Sequence, residues 1–146
     1  MATKVGLVQI STEYPNTSYL PYSIGLLQVY FQKYSVYAKE FEFLTPIFYR
    51  KPITQILYSL RKADVVAFSV YAWNFMVSLN IADELKKRNE NITIIFGGPN
   101  VPDSSEEFLK KYRFIDIACH GEGEIVFKEL LENYHSKTLI NVPSIS

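Results

Sequence analysis

The chain has 146 residues, 48% hydrophobic and 21% charged, the size and balance of one globular domain with a single core. Lys plus Arg equals Asp plus Glu at 15 each, so no net field attracts nucleic acid or anionic lipid, and neither partner is expected. The single cysteine, Cys119, excludes an internal disulfide and a multi-thiolate metal site, and it fits a reducing, cytoplasmic setting. No targeting segment opens the chain, and no apolar run reaches the roughly 20 residues that a membrane helix needs.

Lys4 to Ile10 (KVGLVQI) predicts a short buried strand, followed by a polar loop from Ser11 to Tyr19 with Pro15 and Asn16 as turn residues. Pro21 suits the first turn of a helix, because its missing N–H has no partner there. Ile24, Leu27, Phe31 and Tyr34 recur at helical spacing, and Leu26, Val29 and Tyr30 widen the stripe nearly all round. Such a helix is expected to be covered on more than one side. Lys39 to Leu44 makes a weaker second strand, and Pro52 opens a helix whose face is Ile53, Ile56, Leu57 and Leu60.

Asp64 to Val70 (DVVAFSV) is the clearest strand, a continuous apolar run of the kind buried on both faces of a parallel sheet. A helix follows from about Asn74 to Arg88, with Asp83–Lys87 and Glu84–Arg88 spaced for i,i+4 pairs. The fourth strand is Ile92 to Phe96. Asp103 or Ser104 is placed to cap the next helix, and Glu106 and Glu107 fall in its first turn. Phe114 to Cys119 is the fifth strand, and a last helix covers about Glu122 to Tyr134, burying Val126, Phe127, Leu130 and Leu131. The polar tail from Ser136 to Ser146 reads as a linker.

Five strands alternating with five helices predict an α/β fold: a doubly wound, five-stranded parallel sheet in the order 2-1-3-4-5 within three αβα layers. Ligands of such sheets bind beyond the carboxyl ends of the strands, at the switch between strands one and three. That rule selects four loops: Ser11–Leu20, Ser69–Asn74, Gly97–Asp103 and His120–Gly123.

Gly97-Gly98-Pro99-Asn100 ends the fourth strand. Two glycines there allow close approach of a flat ligand, or else serve a tight turn of positive φ. Ser69, Tyr71, Trp73 and Asn74 leave the third strand with a hydroxyl, two ring faces and an amide. Asn74 as a cap and Trp73 as a core plug are the structural alternatives. Gly121, Glu122 and Gly123 follow the fifth strand in a sharp strand-to-helix turn; Glu122 and Glu124 favour a helix N-terminus more readily than acid–base work. His120 reads as a turn residue or a metal ligand, and Cys119 as a small core residue. The sequence has no GxGxxG, no GxxxxGK[ST], no zinc spacing and no GxSxG elbow, so no residue is assigned as catalytic or metal-binding.

Asp64 to Asn74 (DVVAFSVYAWN), then residues 94–100 (IIFGGPN), then residues 116–124 (DIACHGEGE), closely resemble the cobalamin (vitamin B12)-binding domains found N-terminal in radical S-adenosylmethionine proteins. Leu20 to Phe31 resembles that family's opening of the first helix, and residues 139–143 (LINVP) its lead into the radical domain. The resemblance implies a flavodoxin-like fold, with residues 1–135 binding cobalamin and residues 136–146 leading toward a radical domain outside this chain. It also implies that Gly97 and Gly98 make room for the nucleotide tail, that Ser69 bonds within that pocket, and that Tyr71, Trp73 and Asn74 lie near the corrin. Glu13 to Leu20 would border the other side of the ring.

Many cobalamin domains carry DxHxxG after strand one, whose histidine ligates cobalt. Here that loop is Ser11-Thr12-Glu13-Tyr14-Pro15-Asn16-Thr17, so the resemblance implies cobalamin bound without a histidine from it. The radical domain's three-cysteine motif is absent, so the iron–sulfur cluster and S-adenosylmethionine belong to the other portion. This chain then binds cofactor but does no chemistry by itself; methyl transfer or another radical rearrangement is the work of the whole.

Two further classes share this architecture. A flavin mononucleotide electron carrier needs a glycine in its first phosphate loop, yet none lies between Gly6 and Gly25. An interaction domain with a degenerate pocket would bind no cofactor. A phosphoacceptor receiver is only weakly supported, because Ser69 stands where its aspartate is required.

Overall fold

The computed structural model describes residues 1–12, 19–136 and 145–146. The first-loop positions 13–18 and the tail positions 137–144, including the LINVP segment, lie outside the described residues.

The strands are β1 (Thr3–Val8), β2 (Phe41–Phe43), β3 (Val65–Ser69), β4 (Thr93–Gly97) and β5 (Ile117–Ala118), and the helices are α1 (Tyr22–Tyr34), α2 (Ile53–Leu60), α3 (Phe75–Arg88), α4 (Glu106–Lys111) and α5 (Gly123–Glu132). The strands form one sheet in the order β2-β1-β3-β4-β5, and every pairing is parallel, as the alternating pattern predicts. All five residues of β3 are buried, as a central strand between two helical layers requires.

Side-chain alternation along the strands divides the core in two. Val66, Phe68, Ile94 and Phe96 join Ile56, Leu57, Leu60, Ile81 and Leu85 on the face covered by α2 and α3. Val65, Ala67 and Ile95 join Ile24, Phe31, Phe127, Leu130 and Leu131 on the face covered by α1 and α5. Each aliphatic side chain so buried contributes about 1.5–3 kcal/mol.

The structure corrects several local expectations. α1 is not covered all round, because only Ile24 and Phe31 are fully buried, while Val29, Tyr22 and Tyr34 are exposed. Glu84 pairs with Lys87 at 3.1 Å rather than with Arg88, since Lys87 already meets Asp83 at 2.8 Å and takes both carboxylates. α4 is capped neither by Asp103 nor by Ser104: its N-cap is Ser105, whose hydroxyl lies 3.2 Å from His120 Nε2 instead. β5 is two residues long, because the Asp116 carboxylate accepts from Ile94 N at 2.7 Å and from Lys86 Nζ, so a side chain takes up the pairing just before it. Ile145 bridges antiparallel to Cys119, and Ala118 and Ser146 exchange two backbone hydrogen bonds of 2.9 Å.

One fully buried side-chain polar atom is left unsatisfied among the described residues, the Ser78 hydroxyl in the first turn of α3. Ser78→Ala removes that desolvated hydroxyl and improves helix propensity. It is expected to raise stability by up to about 1 kcal/mol, read as a higher urea midpoint with unchanged slope.

Candidate functional site

The register of the sheet builds the floor of a groove at its carboxyl edge. Ser69 pairs with Gly97, and Cys119 N donates to Phe96 O, so Ser69, Gly97 and Cys119 lie side by side across three strands. Ala67 and Ile95 form the row beneath, on the same α1/α5 face. Small side chains in the upper row leave space above the sheet edge.

The resulting groove holds about 310 Å³. α1 supplies one wall through Tyr22, Ser23, Leu26 and Leu27, and α5 the other through Gly123, Glu124 and Phe127. Phe68, Gly98, Tyr71 and Gly121 complete the lining among the described residues. Tyr71 Oη and Ser23 Oγ are 2.6 Å apart and close the groove between α1 and the β3–α3 loop. The Ser69 hydroxyl has no hydrogen-bond partner among the described residues, although the residue is largely buried against the groove.

Of the residues expected from sequence, Ser69, Tyr71, Gly97, Gly98, Gly121 and Gly123 come together in this groove. Trp73 does not line it. Its half-exposed indole stacks on Tyr71, with centroids 4.6 Å apart and planes at 9°, and its other side faces a cleft formed with Arg50, Met76 and Tyr112. Arg50 Nη2 donates to Trp73 O at 3.2 Å, which ties the β2–α2 loop to this turn.

Asn74 is fully buried, and its amide is used within the fold. Nδ2 donates to Ile10 O and Ser69 O, each at 3.1 Å, and Oδ1 accepts from Tyr71 N at 2.8 Å. No donor remains for a ligand, so its place is structural although it is not a side-chain cap of α3. Pro99, Asn100 and Glu122 also lie outside the groove; Glu122 borders a separate cleft along the outer side of α1.

Gly97 and Gly98 have different physical roles. A Cβ at Gly97 would meet Cys119 Cβ at 3.5 Å, an ordinary contact, so its lack of a side chain serves the groove rather than the chain path. Gly98 has φ of +108°, and a Cβ there would lie 2.7 Å from Val70 O and 2.9 Å from Val70 N. The turn therefore demands glycine.

The structure adds Ser23, Leu26, Leu27, Ala67, Ile95, Cys119, Glu124 and Phe127 to the site. Helical spacing of Ser23, Leu26 and Leu27 places them on one face, but which face meets the cavity depends on how α1 crosses the sheet. Burial pushes the Cys119 thiol up to about 12 from its usual 9.0. Its folded value lies above the unfolded one, so the contribution is intact below pH 9.0 and is lost as pH rises toward about 12. Cys119→Ala is accordingly expected to flatten the fall in stability across that alkaline window, measured by urea unfolding at each pH. Among the described residues, no three or more His, Cys, Asp or Glu side chains are grouped to hold a metal ion. His120 Nε2 is engaged by Ser105 Oγ at 3.2 Å and Ser146 Oγ at 3.3 Å.

A groove between the first and last helices, floored by small residues at the switch edge of a 2-1-3-4-5 sheet, is where the fold rule places a ligand. The B12 binding domain family matches residues 40–131, more than half of the chain. The chain belongs to that family. As a B12-binding domain it is 37% identical, over 119 residues and 82% of its length, to the cobalamin-dependent radical SAM methyltransferase TokK of Streptomyces tokunonensis. It is 34% identical over 113 residues, or 77% of its length, to a 2-(S-pantetheinyl)-carbapenam-3-carboxylate methyltransferase of Streptantibioticus cattleyicolor. An uncharacterized methyltransferase of Pyrococcus horikoshii is 32% identical over 69 residues, 47% of this chain and 15% of its own length. The chain spans only 17% of the length of each of the first two relatives. Among the described residues, no helix of this B12-binding domain is long and apolar enough to cross a membrane.

Proposed function

We propose that this chain is the cobalamin-holding module of a longer radical S-adenosylmethionine enzyme that transfers a methyl group. The observation that carries the reading is the groove itself, an apolar slot floored by Ser69, Gly97 and Cys119 at the ligand edge of a B12-binding domain. The similarity to methyltransferases favours methyl transfer over a rearrangement.

The residues present fit the cofactor. Leu26, Leu27, Ala67, Ile95 and Phe127 suit the flat aromatic base of a nucleotide tail, and the unpartnered Ser69 hydroxyl offers one hydrogen bond within the same slot. The Tyr71–Trp73 stack stands at the rim, where its exposed ring surface suits the corrin. Asn74 acts indirectly, holding the turn that carries Tyr71. Bound cobalamin supplies the methyl-carrying cobalt. The chain's own part is to bind, orient and shield it, with no catalytic residue of its own. The iron–sulfur cluster and S-adenosylmethionine belong, in this reading, to the remainder of the longer protein. Nucleic acid and membrane are not partners, and the cytoplasm is the setting.

Titration with hydroxocobalamin, followed by visible spectra and calorimetry, tests the assignment, with flavin mononucleotide in parallel. Saturable cobalamin uptake that weakens roughly tenfold or more in Gly97→Val is expected, because the added side chain fills the slot while the backbone tolerates it. The bound spectrum should lack imidazole ligation and be unchanged in His120→Ala. Uptake of flavin alone would move the chain to the electron-carrier class.

A further inference from the structure

Among the described residues, the groove has one charged wall residue. Of those that line it, only Glu124 carries a formal charge; Ser23 and Tyr71 are hydrogen-bonded to each other, and the rest are aliphatic, aromatic, glycine or small. Glu124 is half-buried in the first turn of α5, where the helix dipole favours a carboxylate. That placement explains why the charge is tolerated. It does not explain why an acidic residue lines an apolar slot as well as the outer cleft. No cation lies within ion-pair distance of it among the described residues; Lys128 of the same helix pairs with Glu132 at 2.9 Å, and Lys33 lies over the ring of Tyr34. A carboxylate with no ion-pair partner and acceptor capacity to spare favours an N–H donor and repels an anion.

The corrin rim carries neutral carboxamides, each with two N–H donors, whereas a hydrolysed rim amide is an anionic carboxylate. We propose that Glu124 selects the form of the corrinoid, accepting a hydrogen bond from a rim carboxamide and disfavouring any corrinoid with a carboxylate at that place. This role rests on the cobalamin reading above and deepens it. Glu124 is thus a specificity residue; it borders both the groove and the outer cleft along α1, whereas Glu122 borders the outer cleft and not the groove.

The test compares cobalamin with its monocarboxylic acid derivatives, each lacking one rim amide, on wild type, Glu124→Gln and Glu124→Ala, by calorimetry near neutral pH. Wild type should bind at least one monocarboxylate roughly tenfold or more weakly than cobalamin, the scale of a charge-assisted hydrogen bond exchanged for repulsion. In Glu124→Gln that gap should close to about twofold, because a neutral amide accepts from the carboxamide and donates to the acid. Glu124→Ala should weaken cobalamin while also removing the discrimination. Thermal melts identify any variant that fails to fold, and the Gln variant keeps the side chain's shape. If wild type binds cobalamin but discriminates no derivative, or if the gap persists in Glu124→Gln, the role of Glu124 is overturned while the cofactor reading stands. If wild type takes up no cobalamin at all, the cofactor reading itself fails, and this role with it.

Discussion

Gly98→Ala is expected to destabilise the domain by about 2–4 kcal/mol, which lowers the melting temperature of a chain this size by roughly 10 °C. Two costs act together. The residue sits at φ of +108°, outside the conformations open to a side-chain-bearing residue. The new methyl would also lie 2.7 Å from Val70 O and 2.9 Å from Val70 N, both backbone atoms of the neighbouring strand exit. Neither atom can move freely, since Val70 N donates to Gly97 O and Val70 O accepts from Asn100 N. Gly97→Ala is the control. Its Cβ meets only Cys119 Cβ at 3.5 Å, so the fold should hold within about 1 kcal/mol while cobalamin binding weakens. If both alanine variants melt alike, the separation of a turn glycine from a groove glycine is wrong.

Asn74→Ala should cost about 3 kcal/mol or more, the second large effect. Its side chain joins three backbone points that no other group joins: the carbonyls of Ile10 after β1 and Ser69 at the end of β3, and the amide of Tyr71 in the next turn. Truncation leaves all three buried or half-buried without that partner. The loss should extend beyond stability. Tyr71 carries both the bond to Ser23 and the stack with Trp73, so loosening the turn should reduce cobalamin uptake even when the variant is folded by circular dichroism. Unchanged uptake in a destabilised but folded variant would show that the turn keeps its shape without the amide.

The architecture was legible in the sequence because two periodicities are unambiguous here. The apolar run through Val65–Ser69 admits only a doubly covered strand, and Ile56, Leu57 and Leu60 of α2 are buried in the core as their spacing implies. Alternation of strands and helices then left one common parallel order, and the four loops at its carboxyl edge followed. Six of the eleven residues named from those loops do lie in the groove.

The tertiary structure decided the rest. Sequence places Trp73 and Asn74 beside the cleft, but burial of one and outward stacking of the other depend on which way the turn closes, and the bond from Asn74 to Ile10 O spans 64 residues. The contributions of Leu26, Leu27 and Phe127 depend on how α1 and α5 lie across the sheet, and periodicity shows only that these residues are apolar. Ser69, Gly97 and Cys119 are far apart in the chain and each looks incidental alone. Only strand register aligns them, since hydrogen bonding between strands is a non-local choice that no single segment encodes. A sequence of this kind therefore determines its layers and its ligand edge, while the shape of the slot emerges only when three strands and two helices come together.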